Sequence, residues 1–91
     1  MPHHKDAIKR MKQGRVRRLR NRHYRTRMRN QIKAVRTAVA EGDTEKANAS
    51  LREAMSAIHR CAGKGVIHPN QAARRIHRLN KRVKALATAS E

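Results

Sequence analysis

Apolar residues recur along this chain at helical intervals, in three blocks divided by glycine-bearing breaks. The first block carries Ile8, Met11, Leu19, Met28, Ile32, Val35 and Val39, and from Met28 onward the steps are the three or four residues that one helix face requires. Between Met11 and Met28 the stripe thins to Val16, Leu19 and Tyr24, and arginine fills most other positions. Arg, Lys and Gln are good helix formers, so the helix is expected to continue there with little to pack against a neighbour. Glu41-Gly42-Asp43 supplies a stop and a restart. Gly42 suits a C-terminal cap, Asp43 suits an N-cap, and Glu45 falls in the positive first turn that follows.

The second block, about residues 44–62, turns Ala47, Leu51, Ala54, Met55, Ile58 and Cys61 to one side at steps of three or four. Gly63-Lys64-Gly65 ends it. Val66-Ile67-His68 then leads into Pro69, whose missing N–H does no harm at a first helical position. Val66 or Ile67 is placed to pack onto Ala72 or Ala73 across that start. The third block, about residues 69–87, presents Ala72, Ala73, Ile76, Leu79, Val83 and Leu86. Arg74, Arg75, Arg78, Lys81, Arg82 and Lys84 fall mostly on the other side. Short connections make successive helices antiparallel, so the pattern predicts an all-α, up-down-up three-helix bundle forming a single domain, residues 1–91.

Length adds the decisive asymmetry. At ~1.5 Å per residue, a first helix of some 35 residues is roughly 50 Å long, against about 30 Å for its partners. It must overhang, and its regular stripe begins only at Met28. The expected division is therefore a protruding basic arm over 1–27, the bundle over 28–87, and a disordered tail over 88–91.

Charge explains what such an arm would meet. Lys5 to Arg36 holds fourteen lysines and arginines against the single acid Asp6, and the net charge of +18 divides into +13 up to Arg36 and +5 beyond it. A segment so charged cannot be a core element, and its natural partner is a polyanion. Basic residues occupy every side of the helix, which suits insertion between several phosphate backbones better than rest upon one surface. Like charges at Arg18/Arg22, Arg25/Arg29, Arg15/Arg18, Arg17/Arg20 and Arg22/Arg25 repel across a helix turn, each pair by roughly a few tenths of a kcal/mol. The arm is therefore expected to fray when free and to become helical on phosphate. Tyr24 is the sole aromatic residue, so stacking platforms for single strands are missing and recognition should run through backbone and shape.

Other chemistries find little support. Asp6, Glu41, Asp43, Glu45, Glu53 and Glu91 are the only carboxylates, most of them near helix ends, and no catalytic constellation emerges. Cys61 is the only cysteine and reads as a small buried residue, compatible with a reducing cytoplasm. His3-His4 diverge on any regular element and do not make a metal site. No apolar run reaches the length of a membrane span, and no signal peptide is expected. No cofactor, metal, small-molecule substrate, membrane or self-association is expected. A non-specific nucleic-acid-compacting protein is the main alternative, although tandem basic repeats and a dimerising wedge arm are absent.

A resemblance sharpens this. Ala7-Ile8-Lys9-Arg10, Arg17-Arg18-Leu19-Arg20-Asn21, Met28-Arg29-Asn30-Gln31-Ile32-Lys33, Leu51-Arg52-Glu53-Ala54, Lys64-Gly65-Val66-Ile67-His68, Ala72-Ala73-Arg74-Arg75 and Arg78-Leu79 together resemble the S-twenty family of bacterial small-subunit ribosomal proteins. The resemblance implies a three-helix bundle bound to 16S ribosomal RNA in the small subunit, aiding its assembly, with few protein contacts. It implies RNA contacts at Lys5, Lys9, Arg10, Lys12, Arg17, Arg18, Arg20, Asn21 and Arg25, and more weakly at His68, Asn70, Arg74, Arg75 and Arg78. Arg15, Arg22 and Arg29 join this set on charge and position along the same helix. His68 is open to two roles, helix cap and RNA contact. Pro69, Gln71 and His77 depart from the family pattern.

Overall fold

The computed structural model describes residues 2–89, which form α1 (Pro2–Glu41), α2 (Thr44–Gly63) and α3 (Pro69–Ala89). Two glycines in the left-handed region set the topology. Gly42 has φ 74° and Gly65 has φ 74°. At each, two backbone bonds fold the chain back over its own helix end: Gly42 N–H to Val39 O and Asp43 N–H to Ala38 O in the first turn, Gly65 N–H to Ala62 O and Val66 N–H to Cys61 O in the second. This pairing satisfies carbonyls that a helix end leaves open, and only glycine adopts the required backbone without strain.

Asp43 does two jobs in the first turn. Its backbone closes α1, while its carboxylate accepts the Lys46 N–H at 3.1 Å and caps α2. One residue serving both helices leaves no slack, so α2 must run back along α1. An ion pair of 3.1 Å between Lys46 Nζ and Glu41 Oε2 spans the same corner. Both groups are half exposed, so this pair adds little stability.

α2 lies between the other helices. It packs along α1 on one flank and α3 on the other, and α1 and α3 meet only lightly. The core takes Met28, Ile32, Val35 and Ala38 from α1, six residues of α2 from Ala47 to Cys61, and Ala72, Leu79 and Val83 from α3, with Val66 closing the second turn. Five of its fourteen buried residues are alanines, which bring the helices close but remove little apolar surface each. Stability is accordingly concentrated in a few larger side chains, of which Ile58 and Val35 are fully buried.

The observed packing corrects several expectations. Ala38 and Ala57 are buried, whereas Ala73, placed on the apolar side by spacing, is exposed. Arg75, placed outward, is half-buried. The bundle also begins before Met28: Tyr24 packs against the core, and the Cys61 thiol donates to Tyr24 O at 3.3 Å. Cys61 is small enough for the α1 backbone to approach it. Burial pushes its thiol pKa up, with the cations of Arg25 and Arg75 pulling the other way, so it behaves as a structural residue. At the other end, Thr88 and Ala89 are helical rather than part of a disordered tail, Thr88 Oγ1 bonding back to Lys84 O at 2.9 Å. Residues 90 and 91 lie outside the described residues.

Ile58→Ala is expected to destabilise the protein by about 3–5 kcal/mol in denaturant unfolding. Leu51→Ala, beside an open groove into which Val83 can relax, should cost nearer ~2 kcal/mol in the same measurement.

Candidate nucleic-acid interface

A bundle of two helices of about 20 residues cannot cover a 40-residue α1. The molecule measures 70 × 21 × 14 Å, and its long axis exceeds the ~30 Å of α2 or α3 because the first half of α1 stands clear. From Lys5 to Arg20 every residue is exposed except Gly14, which is intermediate. Lys5, Lys9, Arg10, Lys12, Arg15, Arg17, Arg18, Arg20 and Arg22 are thus all solvent-facing. At 3.6 residues per turn they are distributed around the whole rod.

The arm's apolar residues do not continue the core stripe. Leu19 and Met28 are nine residues apart, about two and a half turns, so they point to opposite sides of α1. Ile8 is 44 %, Met11 60 %, Val16 66 % and Leu19 68 % exposed. Ile8 and Leu19 thus stand off the face that begins at Met28. The arm has no apolar face directed at its own bundle, which is why it projects instead of folding back.

Antiparallel packing brings the start of α3 to the root of this arm. Cys61, near the end of α2, contacts Tyr24, and the second turn follows at once. The start of α3 therefore lies near the root of the arm, and Arg25 and Arg75 both act on the buried Cys61 thiol. Arg29 and Arg78 lie farther into the bundle, exposed on α1 and α3. Asn21 and Arg75 are only half-exposed, and the Oδ1 of Asn21 and the Nε of Arg75 are buried without a hydrogen-bond partner. Arg25 of α1 and Arg75 of α3, far apart in sequence, are thus neighbours on one stretch of the molecular surface.

His68 has a defined task in that surface. Its Nδ1 accepts the Asn70 N–H at 3.1 Å, capping α3, while its carbonyl accepts from Ala72 and Gln71. With Nδ1 accepting, the ring proton sits on Nε2, where the exposed edge can still donate outward. The cap and an RNA contact are compatible roles. Pro69 opens the helix as its fixed φ favours, and Gln71 and His77 are exposed.

Sequence reasoning passed over Arg27, Lys33, Arg36 and Arg82, all exposed. Arg36 and Arg82 line a cleft between α1 and α3, and only the packing of the two helices reveals it. No arginine among the described residues forms an ion pair. No group of three His, Cys, Asp or Glu side chains among them is arranged to hold a metal, and no helix is long and apolar enough to cross a membrane. Of the His3-His4 pair, the His3 side chain lies outside those described.

Comparison with known proteins agrees with this geometry. The family model described as "Ribosomal protein S20" matches residues 2–84. Among curated proteins, the chain is 55% identical over 83 residues to the small ribosomal subunit protein bS20 of Oleidesulfovibrio alaskensis, covering 91% of this chain and 95% of that one. It is 49% identical over 87 residues to bS20 of Desulfatibacillum aliphaticivorans, covering 96% and 99%. With bS20 of Magnetococcus marinus it shares 51% identity over 90 residues, covering 99% and 98%. A match of this length, spanning arm, turns and bundle together, makes the chain a member of the ribosomal protein S20 family.

Proposed function

We propose that this protein binds 16S ribosomal RNA directly, through phosphate-backbone and shape contacts, and stabilises the folded RNA during assembly of the small ribosomal subunit. Membership of the family makes it a structural constituent of that subunit, located on the ribosome in the cytoplasm, and not an enzyme. The observation that carries the proposal is the overhang: a helix with solvent-facing cations on all sides, extending past the bundle with nothing of its own to pack against. A rod of that kind has no intramolecular use for its charge, whereas a folded RNA offers phosphates from several directions at once.

Arginine dominates the rod, and its planar fork makes paired hydrogen bonds to phosphate oxygens and stacks on exposed bases. The bundle then acts as a base that fixes the direction of entry, and His68, Asn70, Arg74 and Arg75 broaden the contact at the arm's root. Lys5, Lys9, Arg10, Lys12, Arg15, Arg17, Arg18, Arg20, Asn21, Arg22, Arg25, Arg29 and Arg78 complete the proposed contact set. A general compaction role on DNA needs no such shape, and equal affinity for random duplex DNA and for 16S RNA would favour it over the present reading.

If roughly six to ten phosphates are neutralised, log K against log[salt] has a slope of about −5 to −9. Arg18→Ala with Arg22→Ala should weaken 16S RNA binding and flatten that slope by about 2 while leaving the melting temperature unchanged, since both side chains are exposed on the overhang. A slope near zero for the wild type contradicts the proposal. Like-charge repulsion along the arm further predicts that the free protein shows less helix by circular dichroism than a continuous Pro2–Glu41 helix requires, and that 16S RNA restores it. Constant helicity through the titration refutes this second point.

A further inference from the structure

Where α1 and α3 approach without packing tightly, they leave a cleft of ≈ 140 Å³ lined by Ile32, Arg36, Arg75, Arg78, Leu79 and Arg82. Ile32 and Leu79, both buried, give it an apolar floor, and four arginines from the two helices complete its lining. On α3 the three arginines stand at successive steps of three and four, so Arg75 repels Arg78 and Arg78 repels Arg82. Arg36 adds a fourth like charge from across the gap.

Among the described residues no acid pairs with them, and Glu53 of α2 lines a separate hollow with Arg27 and Arg60. α3 contains no acid, and Glu41, Asp43 and Glu45 are at the first turn, where Glu41 is held by Lys46. The Nε of Arg75 is buried and has no hydrogen-bond partner, an unmade bond in a structure whose remaining polar groups are mostly served. Such a donor, removed from water and left open, marks a place where a ligand acceptor belongs. At ≈ 140 Å³ the cleft has room for a phosphate group between the two helices.

We propose that this cleft is a phosphate clamp, taking one backbone phosphate of the RNA between α1 and α3 with Arg36 and Arg82 as its jaws and Arg75 Nε–H as its inner donor. The inference rests on the RNA-binding reading and adds to it a site on the bundle itself, apart from the arm. Arginine forks match phosphate oxygens in pairs, and the apolar floor limits the screening by water that weakens such contacts elsewhere on the surface. Because α1 and α3 otherwise touch little, the bound phosphate also ties the third helix to the first, so RNA binding stiffens the bundle as well as the arm.

Arg36→Gln/Arg82→Gln in the full chain is the test, compared with wild type and with Arg18→Gln/Arg22→Gln. In ligand-free, low-salt buffer the cleft variant should melt at or above the wild-type temperature, because it loses repulsion and no packing. Binding of 16S RNA at ~0.1 M salt should weaken by roughly ten- to fiftyfold, with the salt slope smaller by about 2. Inorganic pyrophosphate should raise the melting temperature of wild type and of the arm variant, and not that of the cleft variant. Arg36→Lys/Arg82→Lys keeps the charge and loses the fork, and should recover only part of the affinity. Unchanged RNA affinity and slope in the Gln variant overturn the clamp, as does a pyrophosphate shift that survives it. Should wild type itself bind 16S RNA no better than random duplex DNA, the broader RNA reading fails instead, a result visible before any variant is made.

Discussion

Twenty-four lysines and arginines share this chain with six carboxylates, and the fold does little to bring them together. The Lys46–Glu41 pair sits at a corner, Asp43 is used as a cap, and the arginines of the described residues remain without ion pairs. Repulsion among so many like charges opposes compaction, and the chain accommodates it by separation. Half of α1 is extended away from the bundle, where its charges are farther from those of α3 than any folded-back arrangement would allow. The shape of the molecule, and its dependence on a polyanion, both descend from that imbalance.

The bundle is correspondingly economical. Alanines at 38, 47, 54, 57 and 72 let three helices approach closely, and Met28, Ile32, Val35, Leu51, Ile58, Leu79 and Val83 supply the larger buried side chains. Tight glycine turns at 42 and 65 hold the helices in register through backbone bonds instead of through a large core. The arrangement needs few residues, and it fixes the angle at which the arm departs. Tyr24 over Cys61 lies close to the point where the rod becomes free, so this contact helps hold the arm's direction relative to the bundle.

Much of this was legible in the sequence because capping and turn chemistry are local. Gly42, Asp43, Gly65 and Pro69 announce the ends of helices regardless of what packs around them, and the extra length of the first helix follows from where those signals fall. Less legible was anything that depends on rotation about a helix axis. Ile8 and Leu19 lie about half a turn from the core stripe and Met11 about a quarter, and the mismatch appears only when the residues between them and Met28 are counted in turns. Alanine was ambiguous for a related reason: Ala57 is buried and Ala73 exposed, and neither differs enough in composition to say so. The α1–α3 cleft was out of reach altogether, since Arg36 and Arg82 are far apart in sequence and only packing against α2 aligns them. The exposed cations of the arm were legible from charge, while the approach of the start of α3 to the arm's root required the fold.

Chemical footprinting of 16S RNA with and without the protein tests the central claim most directly, because a rod charged on all sides should be enclosed by RNA and not laid upon it. The account predicts backbone protection on several RNA segments that are separate in the RNA sequence and converge in space, with part of that protection lost when Arg18 and Arg22 are replaced. Protection confined to one face of a single duplex, or none above that produced by an unrelated polycation, would contradict it.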